Sequence, residues 1–240
     1  MEYATVEANE VALAVRIFRP PWDVQKRDVT VVMAHQYSVL GGCQALMKGT
    51  ATELASRGFT TLTFDMRGAG RSTGRPSLTG FAEVQDVIAV CKWATEHVDA
   101  RSIILVGNSA GAPIAGSAVD EVKEVVGYVA LGYPFGMLAS VLFGRHNKPI
   151  LASEKPKLFV MGTNDGFTSV KQLETKLKTA AGRNETRLVP GAGHFEMEGP
   201  EFDRQMADYV VEFAESLQQP DQHQTASNPT LPSAAGDQPS

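Results

Sequence analysis

Short apolar runs alternate along this chain with longer stretches whose apolar residues fall at helical spacing. Residues 3–18 alternate or run apolar on either side of Asn9-Glu10 and stop at Pro20-Pro21, the pattern of an antiparallel hairpin. Thr30–Ala34 is apolar throughout, as a strand covered on both faces should be, and Ser102–Val106 reads as a second buried strand. Further strands are expected at Thr60–Phe64, Val125–Leu131, Lys157–Met161 and Thr186–Val189. Leu46, Thr50 and Leu54 mark a helix that Gly58 closes. Leu78 to His97 is a second helix, with Thr79 as N-cap and a stripe of Phe81, Val84, Val87, Ile88, Cys91, Ala94 and Thr95. Helices are also expected over Ala110–Ala118, Ser169–Ala181 and Pro200–Leu217, the last opened by its proline.

A hairpin followed by repeated strand–helix units implies an α/β fold: a mostly parallel, doubly wound sheet with helices on both faces. One domain is expected over residues 1–218. From Gln219 the chain is Gln, Pro, Ser, Thr, Asp and Ala, with Leu231 its one large apolar residue, so 219–240 reads as a disordered tail that cannot offset the entropy of ordering.

The polar and glycine-rich segments all follow strand ends, which places them on the edge where such sheets bind ligands. They are His35-Gln36-Tyr37, Asp65–Ser72, Ser109, Asp165 and His194. Gly107-Asn108-Ser109-Ala110-Gly111 joins a strand to a helix in a Gly-x-Ser-x-Gly pattern. In so tight a corner the serine hydroxyl stands out at the carboxyl end of the sheet. The Ala110 N–H and the start of the next helix then face the place where negative charge would develop.

Composition narrows the partners. A net charge of −5 with no long basic run argues against nucleic acid or an anionic membrane surface as the main partner. Hydrophobic residues make up 43% of the chain and the mean hydropathy is −0.13, both ordinary for a globular protein, and no apolar run reaches transmembrane length. The first residues carry no secretory pattern, so the cytoplasm is the expected compartment and no integral membrane association is expected. Cys43 and Cys91 lie in segments that read as helical and are expected to be reduced packing residues. No zinc spacing, P-loop or dinucleotide fingerprint occurs, so neither metal nor cofactor is expected.

Four motifs in one order resemble the α/β-hydrolase fold superfamily over residues 3–217. They are the Ser109 corner, Asp65-Met66-Arg67-Gly68-Ala69-Gly70-Arg71-Ser72, Gly162-Thr163-Asn164-Asp165 and Gly191-Ala192-Gly193-His194-Phe195. The chain is most similar to small, cap-poor serine hydrolases and esterases of plants and bacteria. The resemblance implies a Ser109 nucleophile, a His194 base and an Asp165 acid, with Asp65, Arg67 and Gly68 as turn scaffolding. It implies an oxyanion hole made by Ala110 and an amide from the loop after Ala34. That loop usually reads His-Gly and here reads His35-Gln36, so Tyr37 is the favoured donor, Gln36 the alternative, and His35 a loop-fixing residue.

Large caps in this family are inserted where this chain has only Gly132 to Pro156. The apolar and aromatic residues there form either a small flap over an acyl group or the packing of a sheet edge. Phe135, Met137 and Phe167 are the candidate substrate-binding residues. The expected reaction is hydrolysis of a small ester or thioester through an acyl-enzyme. Alternatives are a small-molecule receptor on the same fold, or an acyltransferase, C–C or lactone hydrolase on the same triad. Dehalogenase and epoxide hydrolase chemistry, which places a carboxylate at this corner, is disfavoured by Ser109. Peptidase activity is less expected because nothing suggests a peptide-gating domain. The oligomeric state is not assigned.

Overall fold

Period-two alternation within the buried strands sorts their side chains into two cores, one on each face of a single sheet. The structure, a computed structural model, describes residues 1–37, 39 and 41–218, without the side chains of residues 137–140. Val32 and Ala34, Ile103 and Leu105, and Phe159 and Met161 enter one core. Val31 and Met33, Ile104 and Val106, and Leu158 and Val160 enter the other. Runs that are apolar at every position are what two covered faces require.

Eight strands lie in the order β1-β2-β4-β3-β5-β6-β7-β8. The hairpin of β1 (Glu2–Ala8) and β2 (Val11–Phe18) is antiparallel, and β2 joins β4 (Thr60–Phe64) antiparallel. From β4 onward the sheet is parallel, through β3 (Val29–Ala34), β5 (Ser102–Asn108), β6 (Val125–Leu131), β7 (Lys157–Gly162) and β8 (Asn184–Val189). Helices α1 (Lys48–Ser56) and α6 (Asp203–Gln218) pack together on one face. The other face carries α2 (Phe81–His97), α3 (Gly111–Ala118) and α4 (Met137–Ala152), and α5 (Val170–Leu177) contributes Leu173 there. The expected mostly parallel sheet with an N-terminal antiparallel hairpin is therefore present.

Several expected boundaries move. The second helix starts at Phe81, not Leu78, and its N-cap is Gly80 at φ 76°, not Thr79. The Glu83 carboxylate accepts from the Ser77 amide and hydroxyl, folding the preceding segment back onto the first turn. Ser169 caps α5 through a reciprocal capping box with Gln172, and this helix ends earlier than expected. Pro200 opens a 3-10 turn, Pro200–Phe202, that leads into α6. Cys43 precedes a 3-10 turn, Gln44–Met47, instead of lying in a helix. Cys91 is buried in α2, and burial, reinforced by Glu124, pushes its thiol up to about 12. Between β6 and β7, where only a flap or sheet-edge packing was expected, α4 runs for 16 residues with Pro149 inside it. Leu40, the Met137 side chain and the expected tail at 219–240 lie outside the described residues.

Candidate active site

Strand β5 ends at Asn108 and α3 begins at Gly111, which leaves a two-residue corner. Ser109 occupies it at φ 51°, a left-handed conformation that costs a non-glycine residue of order 1–3 kcal/mol and persists only where its surroundings impose it. Those surroundings are explicit. The Ser109 amide donates to the Leu131 carbonyl at the end of β6 (2.7 Å), and its own carbonyl accepts from the Ala112 amide (2.9 Å).

The corner brings Ser109 Oγ to 2.7 Å from His194 Nε2, and His194 Nδ1 lies 2.6 Å from Asp165 Oδ2. A carboxylate facing Nδ1 keeps the proton there and leaves Nε2 to accept from the serine hydroxyl. The sequence separates these residues by 85 and 29 positions, and the loops after β7 and β8 close the second gap. Asn164 donates its amide to the Ala192 carbonyl (3.0 Å) and its side chain to the Gly191 carbonyl (2.9 Å). Gly162 sits where a Cβ would overlap the Ala192 carbonyl oxygen, so this close approach needs a glycine at the start of the Gly-x-x-Asp segment.

Asp165 does two jobs with two oxygens. Oδ2 meets the histidine, while Oδ1 accepts the amides of Phe167 (2.7 Å) and Thr168 (2.8 Å) in an Asx-type turn. Burial would raise its pKa. The hydrogen bond and charge of His194 and the two amides outweigh this and hold the carboxyl below its ordinary value.

The loop after β3 forms the opposite wall. His35 is fully buried, accepts the Met66 amide at Nε2 (3.0 Å) and donates from Nδ1 to the Gln36 carbonyl. It therefore fixes the loop, as expected. Burial pushes its pKa down to about 4, opposed by the Gln36 carbonyl and the charge of Asp65. Asp65 accepts from the Gln44 amide and side chain (both 2.9 Å) and the Arg71 amide (3.0 Å), while Arg67 pairs with buried Asp86 at 2.6 Å. This is the scaffolding role read for the Asp65 turn.

A cavity of about 480 Å³ opens over Ser109 and His194. Its walls include Ala110 and Gln36, with Leu142 and Phe143 from α4 and Phe167 and Phe195 beside the histidine. Leu46, Pro134, Gly41 and Gly42 extend the apolar wall, and Glu198 is the further polar residue on it. Of the two amides considered beside Ala110, Gln36 belongs to this wall. Tyr37 turns inward, 2% exposed, with its ring edge-on to Phe143 at 5.5 Å. Of the candidate substrate-binding residues, Phe167 lies on the cavity wall and Phe135 does not. Phe135 is buried in the core, stacked on Tyr133 at 4.1 Å, and its amide donates to Thr168 Oγ1.

Helix α4 contributes both to the cavity wall and to the core. Leu142 and Phe143 face the cavity, while buried His146 and Ile150 bind the helix to the core. His146 donates from Nε2 to the Thr79 carbonyl and accepts the Ser117 hydroxyl at Nδ1, both at 2.7 Å. Leu46, Phe195 and Glu198 were not singled out from the sequence as site residues, whereas Leu142 and Phe143 fall in the segment read as a flap or as sheet-edge packing. Phe195, next to His194, carried the clearest local signal. Among the described residues no group of three or more His, Cys, Asp or Glu side chains is placed to hold a metal ion, and no helix is long and apolar enough to cross a membrane.

Residues 9–127 match the family model described as X-Pro dipeptidyl-peptidase (S15 family). An alpha-beta serine hydrolase homologue from Coxiella burnetii superposes with a TM-score of 0.73 at 25% identity, covering 88% of this chain and 96% of that one. A protein of Xanthomonas campestris, described as an a/b serine hydrolase without lid, gives 0.74 at 22% identity over 88% and 93%. An uncharacterized protein of Mycobacterium tuberculosis is 29% identical over 168 residues, which is 64% of this chain. The match spans 59% of that relative's length, less than two thirds.

Proposed function

We propose, from the premise that this chain has the α/β-hydrolase fold, that it is a serine hydrolase of small esters or thioesters. The observation that carries the reading is the unbroken line from Ser109 Oγ through His194 to Asp165, with links of 2.7 and 2.6 Å, at the mouth of an apolar cavity. Ser109 attacks the acyl carbonyl while His194 Nε2 takes its proton. Asp165 holds the ring and stabilises the imidazolium. The amides of Ala110 and Gln36 stabilise the oxyanion, and we favour Gln36 over Tyr37 because Gln36 lies on the cavity wall. The imidazolium then protonates the leaving alcohol or thiol. Water, deprotonated by the same histidine, releases the acid from Ser109. Leu142, Phe143 and Phe167 embrace the acyl chain. Free Cys43 and Cys91 suit the cytoplasm, to which we assign the protein.

The match to the S15 peptidase model favours a second reading, cleavage of an X-Pro amide. It ends at residue 127, before Asp165 and His194. The purified protein is offered p-nitrophenyl butyrate, butyryl thioester and an Ala-Pro p-nitroanilide. The ester reading expects turnover of the first two with the anilide near background. Preferred cleavage of the anilide replaces it with the peptidase reading.

A further inference from the structure

Thr168 follows Asp165 in the same turn and is only 1% exposed. Its hydroxyl donates to the Tyr133 carbonyl (2.9 Å) and accepts from the Phe135 amide (2.7 Å). Its own amide donates to Asp165 Oδ1 (2.8 Å). One buried residue thus joins the turn that carries Asp165 to the loop after β6. That loop also touches the histidine: a Cβ on Gly132 would stand 3.1 Å from His194 Cε1. The same two segments meet again at Gly136, where a Cβ would overlap the Phe167 carbonyl oxygen.

The tie needs a hydroxyl. Oγ1 donates on one side and accepts on the other, and a methyl group in its place does neither. Its direction matters because of what lies at the other end of the turn. The amides of Phe167 and Thr168 converge on Asp165 Oδ1, so the backbone that Thr168 anchors fixes one carboxylate oxygen. With Oδ1 held, the plane of the carboxylate is set, and Oδ2 faces His194 Nδ1 at 2.6 Å.

We propose that Thr168 is a positioning residue for the reaction: its hydroxyl ties the Asp165 turn to the Tyr133–Phe135 segment, and this tie sets the angle at which Asp165 meets His194. The inference rests on the hydrolase reading above. A threonine that only completed the fold would cost stability when changed. One that aims the acid costs turnover, and the loss is repaired by any side chain that restores the hydroxyl.

The test compares kcat and KM for p-nitrophenyl butyrate in the wild type, Thr168→Val, Thr168→Ala, Thr168→Ser and Tyr133→Phe, each shown to be folded by near-ultraviolet circular dichroism. Tyr133→Phe is the control. It removes a buried hydroxyl bond from the same segment, to Asn147 Oδ1 (2.8 Å), without touching the Asp165 turn. Misplacement of a catalytic group by an ångström or less is expensive, so Thr168→Val and Thr168→Ala should lower kcat by about tenfold or more. KM should stay within about threefold, because the interaction lost belongs to the transition state. Thr168→Ser and Tyr133→Phe should both keep kcat within about threefold of the wild type. An unchanged kcat in Thr168→Val and Thr168→Ala overturns the proposal. So does a loss confined to KM, a serine variant as slow as the valine one, or an equal loss in Tyr133→Phe. If the valine variant does not fold, the alanine variant decides. Failure of both to fold also overturns the proposal, because the hydroxyl would then serve the fold and not the acid. A folded wild-type protein that neither hydrolyses the ester nor takes a fluorophosphonate on Ser109 would instead overturn the hydrolase reading.

Discussion

Gly111 lies so close to His35 that a Cβ on it would overlap the His35 carbonyl oxygen. The second glycine of the Ser109 corner is thus where the loop carrying Gln36 docks against the start of α3. It is a packing requirement as well as a turn requirement, and it sets the spacing between the Ala110 and Gln36 amides.

Gly111→Ala should therefore damage stability and activity together. Overpacking of this kind costs about 1–3 kcal/mol. A sub-ångström shift of the loop should lower kcat on p-nitrophenyl butyrate by at least about tenfold. Gly166→Ala is the control for stability, because a Cβ there meets nothing within 4 Å, and surface changes of this kind fall within about 0.5 kcal/mol. Urea midpoints and ester kinetics on the two variants check this. A Gly111→Ala protein with wild-type midpoint and kcat would contradict it.

Stability should fall on acidification through buried His35. Its folded pKa, about 4, lies below the ordinary histidine value near 6.5, so between those limits the unfolded chain binds a proton that the folded chain does not. The stabilisation is complete above pH 6.5 and disappears as pH falls toward 4. A displacement of this size corresponds to about 3 kcal/mol. Asp165 acts in the same sense, because its lowered pKa stabilises the fold above the unfolded carboxyl value and is lost as pH falls through the folded one. Urea unfolding at pH 7.5, 5.5 and 4.5 should show the loss in the wild type and a shallower slope in His35→Gln. Parallel slopes would refute the assignment to His35.

Much of this arrangement was legible from residue patterns because the relevant signals are local. The central buried strands announce themselves by apolar or β-branched runs, and each catalytic candidate sits in a glycine-flanked turn directly after one. Elements decided by contacts distant in sequence were not legible. Helix α4 is obscured by Gly144, Asn147 and Pro149, and its stability comes from burial of His146 and Ile150 against α3. Thr79 reads as an N-cap, yet its carbonyl is committed to His146, 67 positions away. Phe135 reads as a pocket aromatic but meets Tyr133 and Phe159 first. Asp165 forms the turn with one oxygen and meets His194 with the other.

Leu142 offers a direct handle on chain length. It projects from α4 into the cavity wall and is half exposed, so a larger side chain fits without unpacking the core. Leu142→Trp should reduce kcat/KM for p-nitrophenyl octanoate relative to acetate by at least about tenfold, since each methylene excluded is worth about 1–3 kcal/mol. The measurement is the ratio of the two esters within one preparation. An unchanged ratio would place the acyl chain elsewhere.

The central claim is that Ser109 is a nucleophile activated by His194 and Asp165. Its most direct measurement is covalent labelling by a fluorophosphonate, located by peptide mass spectrometry. The account predicts one phosphonyl adduct per chain, on Ser109. It predicts no adduct in Ser109→Ala, and labelling slowed by at least about a hundredfold in His194→Ala, in line with the contribution of a positioned general base. A folded wild-type protein that takes no label, or takes it on another residue, would contradict the account.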